Sequence, residues 1–268
     1  MIDTKDYLVA PGHCVRLHDI ATKDNGGLSK KEGKQAIRSL SKRLFQLQDL
    51  LYAKRAKSLL IVFQAMDAGG KDSTTRRVFT GVNPNMLQVR SFKKPNTEEL
   101  SHDFLWRIHQ HTPPKGVIGV FNRSHYEDIV TVGVNQLQPS KLWQSRFEHI
   151  NSFEKMLVSE GTMVLKFYLH ISKNYQKERL QRRLDRADKH WKFEFADVDA
   201  RKHWDEYLAL YSEAIERCST VASPWHVVPS ERRWYRDLVV LQSIVNTLDA
   251  LQMDYPEPEF DPNSVKIP

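Results

Sequence analysis

The chain has 268 residues, enough for one large α/β domain or two small ones with a substantial core. Lys and Arg number 40 against 33 Asp and Glu; the resulting +7 fits either an anionic partner or a basic, soluble surface. No apolar run approaches the roughly 20 residues that cross a bilayer, "MIDTKDYLVAPGH" has no secretory pattern, and Cys14 and Cys218 lack metal-ligand spacing; a membrane span, a disulfide framework and a cysteine metal site are not expected, and a cytoplasmic setting is.

Residues 1–28 read as an irregular lead-in containing Pro11 and the pair Gly26-Gly27. The spacing predicts a long helix over "LSKKEGKQAIRSLSKRLFQLQDLLYAKR". Ser29 is the expected N-cap, with Glu32 three residues on at capping-box spacing. Ile37, Leu40, Leu44, Leu47 and Leu51 recur on one face. "SLLIVFQ" is short and continuously apolar, as in a strand buried on both faces of a parallel sheet. The same grammar recurs at "LQVRSF" (87–92), "GVIGVF" (116–121), "TMVLKFYLHI" (162–171) and "PWHVVP" (224–229), each ahead of a helical pattern. Five strands alternating with helices predict a doubly wound α/β fold. Residues 29–254 then form one domain. The tail "YPEPEFDPNSVKIP" (255–268) holds four prolines in 14 residues and reads as an extended strap.

Directly after the first strand comes "QAMDAGGKDSTTR". Strand, glycine-bearing turn, Gly-Lys and helix form the P-loop arrangement, in which backbone N–H groups and a helix N-terminus cradle an anion and a lysine adds charge. Ala65 stands where the first glycine is usual, and Asp72 where Ser or Thr is usual, with Ser73 and Thr74 just beyond. Asp72 has a ready role as a helix N-terminal acid. Asp67 does not. A carboxylate beside phosphate is repulsive unless a cation lies between them, and Mg²⁺ accepts both in one shell.

"GVIGVFNRSHYED" places polar residues at the end of the third strand, where parallel sheets bind ligands. Asn122 and Arg123 would face the cleft, and Glu127 and Asp128 follow one turn later. Arg123 suits phosphate oxygens through its planar fork, or forms a local pair with Glu127 four residues on. His125 is a poor candidate base, since phosphoryl transfer asks mostly for positioning and charge. In "ERLQRRLDRADKHWKF", Arg179, Arg182, Arg183 and Arg186 fall on one helical face, extended by Lys189 and Lys192. This is either a solvated face balanced by Glu178 and Asp185 or a stripe that follows a polyanion.

"MDAGGKD", "FNRSHYED", "HDFLWRIHQ" and "KHWKF" resemble conserved blocks of the polyphosphate kinase 2 family, and the likeness runs from about residue 29 to residue 250. The resemblance implies a P-loop kinase-like three-layer α/β sandwich, similar to thymidylate kinase, with a parallel sheet and a helical lid around residues 175–195. It implies phosphoryl transfer between inorganic polyphosphate and nucleotides with Mg²⁺, or Mn²⁺ in its place. Carried over, Asp67 and Asp128 would be the metal carboxylates, acting with Lys71, Arg123 and Arg183 in catalysis. Ala68, Gly69, Gly70, Asp72 and Ser73 of the loop would bind substrate, with Asn122, Glu127, Arg179 and Lys192. "SHYED" resembles the third class, whose members phosphorylate both AMP and ADP; the diphosphate-restricted class tends to show Asn-Arg where this chain has Glu127-Asp128. Adenine nucleotides, with guanine nucleotides second, and a homo-oligomeric state follow from the same resemblance.

Two rival functions have their own signatures. An ATP-dependent nucleoside monophosphate kinase would share the fold. A nucleic-acid-binding module would need aromatics interleaved with basic residues. Trp191 and Phe193 beside Lys189 and Lys192 come nearest, but that patch is short, so neither nucleic acid nor membrane is an expected partner.

Overall fold

The computed structural model describes residues 2–267. Met1 of the lead-in and Pro268 of the tail lie outside them. The strands are β1 (Ser58–Gln64), β2 (Leu87–Ser91), β3 (Ile118–Asn122), β4 (Thr162–His170) and β5 (Trp225–Pro229). The helices are α1 (Lys30–Lys54), α2 (Lys71–Val78), α3 (Thr97–Ser101), α4 (Trp106–His109), α5 (Glu127–Val134), α6 (Ser140–Ser159), α7 (Lys173–Leu184), α8 (Phe195–Lys202), α9 (Trp204–Cys218) and α10 (Arg233–Asp249).

All five strands are parallel, in the order β2-β3-β1-β4-β5. β1 is central and fully buried, as its unbroken apolar sequence requires. Its side chains alternate between two cores. Leu59, Ile61 and Phe63 pack with α1, α2 and α10. Leu60 and Val62 pack with α5, α6 and α9. The result is the expected three-layer sandwich. β2 departs from the buried strand read in the sequence: it is an edge strand, and from Gln88 to Ser91 its residues are exposed.

α1 begins where Ser29 caps it. Ser29 Oγ accepts from the Glu32 N–H, and Glu32 returns the bond to the Ser29 N–H. Leu40, Leu44, Leu47 and Leu51 are buried against the sheet, each worth about 2 kcal/mol. The lead-in is more than an irregular approach. Val9, Val15 and Leu17 enter the core, and Leu8 bridges antiparallel to His226. No described helix is long and apolar enough to cross a membrane.

β1 runs into α2 on one face, and its neighbour β3 into α5 on the other. The two loops part at the carboxyl ends of adjacent strands and leave a crevice between them. That is where sheets of this kind bind ligands.

Candidate active site

The loop at residues 65–70 curls because Ala68 (φ 61°) and Gly70 (φ 104°) adopt left-handed backbone. Gly70 also has no room for a side chain: a Cβ there would meet the Arg236 guanidinium. Arg236 is buried against Asp237 and donates to Ser73 Oγ at 3.2 Å. Ser73 Oγ in turn donates to the Gly70 carbonyl.

Lys71 opens α2, and its Nζ donates to the Ala65 carbonyl at 2.9 Å. Burial lowers its pKa, Arg123 lowers it further, and Asp67, Glu127 and Asp72 pull the other way. Five charges therefore share one small volume. Arg123 Nη2 lies 2.8 Å from Asp67 Oδ1, and its Nε lies 4.0 Å from Glu127 Oε1. The local i,i+4 pair exists but is the looser of the two. Burial disfavours the Arg123 charge, yet Glu127 and Asp67 hold its pKa above the usual value. Arg123 is itself left-handed, at φ 61°, with its N–H donating to the Phe63 carbonyl of β1. Tyr211 of α9 faces the same space: burial raises its pKa, and Glu127 and Asp67 raise it further.

Asp72 lies in the first turn of α2, as its helix-start role requires, and accepts from Asn122 Nδ2. Lys192 Nζ stands 3.9 Å from its other oxygen. From α7, Gln176 donates to the Asp67 carbonyl. Residues 175–195 thus touch the loop at both of its acids. Arg183 pairs with Asp197 and donates to the Lys192 carbonyl. Arg179 forms no ion pair among the described residues. Burial lowers its pKa, and Arg233, Arg182 and Arg183 add to that. The expected helical stripe stops short of Arg186: α7 ends at Leu184, and Arg186 turns away to chelate Asp188 through Nε and Nη2.

Glu127 and Asp128, adjacent in sequence, have different partners. Asp128 Oδ2 lies 3.2 Å from Arg107 Nη2 of α4, and Arg146 of α6 donates to its carbonyl at 2.7 Å. Burial raises the Asp128 pKa against the pull of both arginines. Asp67 shares Arg123 with Glu127, while Asp128 serves Arg107 and Arg146. Neither arginine was singled out from sequence, although Arg107 lies inside "HDFLWRIHQ". Gln176, Asp197, Tyr211 and Arg236 also escaped notice. His125, set aside as a base, is buried against Glu154 at 3.1 Å.

A buried parallel strand, a glycine-bearing loop closed by Lys71, and arginines converging from separate elements define a P-loop α/β protein built to hold phosphates. The family model described as polyphosphate kinase 2 matches residues 27–256. The chain belongs to that family. It is 47% identical to an AMP/ADP-polyphosphate phosphotransferase from Meiothermus ruber, over 98% of this chain and 99% of the relative. It is 40% identical to an ADP-polyphosphate phosphotransferase from Rhodopseudomonas palustris, over 96% and 93%. A crystal structure of polyphosphate kinase 2 from Arthrobacter aurescens TC1 superposes with a TM-score of 0.94 at 37% identity, covering 98% of this chain and 95% of that one.

Proposed function

We propose that the protein transfers phosphoryl groups from inorganic polyphosphate to AMP and ADP, forming ADP and ATP. The observation that carries this reading is the cluster of Asp67, Arg123 and Glu127 around Lys71, at the carboxyl ends of β1 and β3. Phosphoryl transfer needs little covalent help from a protein; it needs substrates in line and negative charge offset. Here Lys71 and the loop N–H groups hold phosphate oxygens, Arg123 reaches the transferring group, and Arg179 and Arg183 engage the polyphosphate chain. The similarity to a relative named for both AMP and ADP supports the dual acceptor range, as does Glu127 in place of Asn.

Asp67 and Glu127 are hard oxygen donors, partly exposed and facing one space, so they fit a hard divalent cation such as Mg²⁺, or Mn²⁺ in its place. When bound, the ion would offset the charge between the carboxylates and the phosphate oxygens. Asp128 would join this set, as the family resemblance implies, only by turning from Arg107 and Arg146, so this reading favours Glu127 as the partner of Asp67.

The test is product analysis from AMP with polyphosphate, without ATP and without adenylate kinase, in Mg²⁺ and in EDTA. ADP followed by ATP is the expected course. ADP that never proceeds to ATP would remove the dual acceptor range. Consumption of added ATP with polyphosphate untouched would favour the ATP-dependent kinase.

A further inference from the structure

Beyond the loop, the amino-terminal ends of α1 and α10 and the last turn of α2 enclose a cavity of about 630 Å³. Lys30 and Lys34 enter it from α1, Arg77 from α2, and Arg232 and Arg233 from the start of α10. Its two acids are already engaged. Asp237 is paired with Arg236 and Arg77. Glu231 accepts from Thr22 Oγ1 and from the Ser172 N–H. Lys30, Lys34 and Arg233, in contrast, form no ion pair among the described residues. The walls are held close by Gly33, where a Cβ would collide with the Trp234 ring. The approach of the two helices, and with it the convergence of the cations, depends on that glycine.

The cavity is continuous in charge with the candidate active site. Arg233 is near enough to Arg179 to lower its pKa, after burial. At the other side, Arg77 lies six residues from Lys71 along α2, roughly 9 Å at 1.5 Å per residue. A path of positive charge therefore leads from Lys192, beside Asp72 of the loop, through Arg183 and Arg179 of α7 to Arg233, and across the cavity to Lys34 and Lys30. A nucleotide offers its few phosphates at one end and would leave most of that path unmatched. A linear polyanion with one charge per unit matches all of it.

We infer that this cavity is a distal subsite for the donor polyphosphate, holding chain units beyond those at the phosphate loop. The inference rests on the polyphosphate reading above. The subsite would add affinity for chains long enough to reach it and would give short chains nothing. Its cations bind by releasing counterions, so its contribution falls as salt rises.

The test is steady-state kinetics of the triple variant Lys30→Gln/Lys34→Gln/Arg233→Gln against wild type. Donors are tetraphosphate and a polyphosphate of several tens of units, each across a salt series, with ADP as acceptor. The expected result is a KM for the long chain raised about tenfold at low salt. Its salt dependence should be flatter, with kcat, KM for tetraphosphate and KM for ADP unchanged. Far-UV circular dichroism and melting temperature establish that the variant is folded; should it not be, Lys34→Gln with Arg233→Gln carries the same comparison. An unchanged KM for the long chain overturns the subsite while leaving the function standing, and so does an equal loss for both donors. Wild-type enzyme that uses neither donor would overturn the function and the subsite together.

Discussion

Two clusters of charge lie on either side of the turn between β3 and α5, and they are built on opposite terms. The open one gathers Asp67, Lys71, Asp72, Arg123 and Glu127 at the mouth of the crevice. The sealed one lies beneath it. Lys166 Nζ meets Glu154, the Tyr126 hydroxyl and the Cys218 carbonyl, while His125 and Ser223 complete the Glu154 carboxylate. Burial would raise the Glu154 pKa, but Lys166 and His125 bring it well below the usual carboxylate range. In the sealed cluster nearly every group has its partner, so little is left for a ligand. In the open cluster Arg123 holds two partly exposed carboxylates apart, and charge remains to be matched. One motif, "FNRSHYED", feeds both: Asn122, Arg123 and Glu127 upward, His125 and Tyr126 downward.

The largest expected effect breaks the sealed cluster. Lys166→Met leaves Glu154 buried without its cation and should cost about 3–5 kcal/mol in urea denaturation. Lys166→Met with Glu154→Leu should recover much of that loss. A single-variant loss below about 1 kcal/mol would show that the cluster is not sealed.

Next in size, Asp67→Asn and Glu127→Gln should each lower kcat about 10²-fold with melting temperature preserved. Asp128→Asn should do the reverse, lowering stability more than turnover, because it leaves Arg107 and Arg146 facing a neutral group. Asp128→Asn with intact stability and 10²-fold lower kcat would return the metal to Asp128.

A smaller effect concerns pH. In the proposed role Lys71 holds phosphate as an ammonium, and burial puts its pKa below the ordinary lysine value. Its charge is therefore lost as pH rises, earlier than for an exposed lysine. On the proposed reading, polyphosphate bound beside Lys71 would stabilise the ammonium and raise that pKa. The alkaline limb of kcat/KM should fall at lower pH than that of kcat, and Lys71→Arg should remove both. Coincident limbs would count against Lys71 as their source.

The smallest difference lies in α7 and the turn that follows it. Arg183→Ala should raise KM for polyphosphate severalfold, because Arg183 joins Lys192 and Asp197 above the loop. Arg186→Ala should leave it unchanged. Equal effects would restore the stripe as one unit.

The strands and α1 were legible because local pattern specifies them. A short unbroken apolar run suffices for β1, and Ser29 with Glu32 for the start of α1. β2 was over-read, since "LQVRSF" has strand character but nothing in it says which strand ends at the edge. The loop was legible through its order of strand, glycine turn and lysine, and the Asp67 charge that asks for a cation beside it has Arg123 there. The partners of Asp128 were not. Arg107 and Arg146 lie 21 and 18 residues away, on separate helices, and no spacing rule links them. Local sequence likewise promised that the helix would carry Arg186. Asp188, two residues on, offers it a bidentate partner that the helical direction does not.

Arg123 sits in backbone that glycine would occupy with less strain. Its guanidinium is therefore aimed by the main chain, through the bond from its N–H to β1, before side-chain rotamers have any say. Arg123→Gly should relieve that strain and abolish the function together. At this position the backbone favours glycine, while the pairs with Asp67 and Glu127 require a guanidinium.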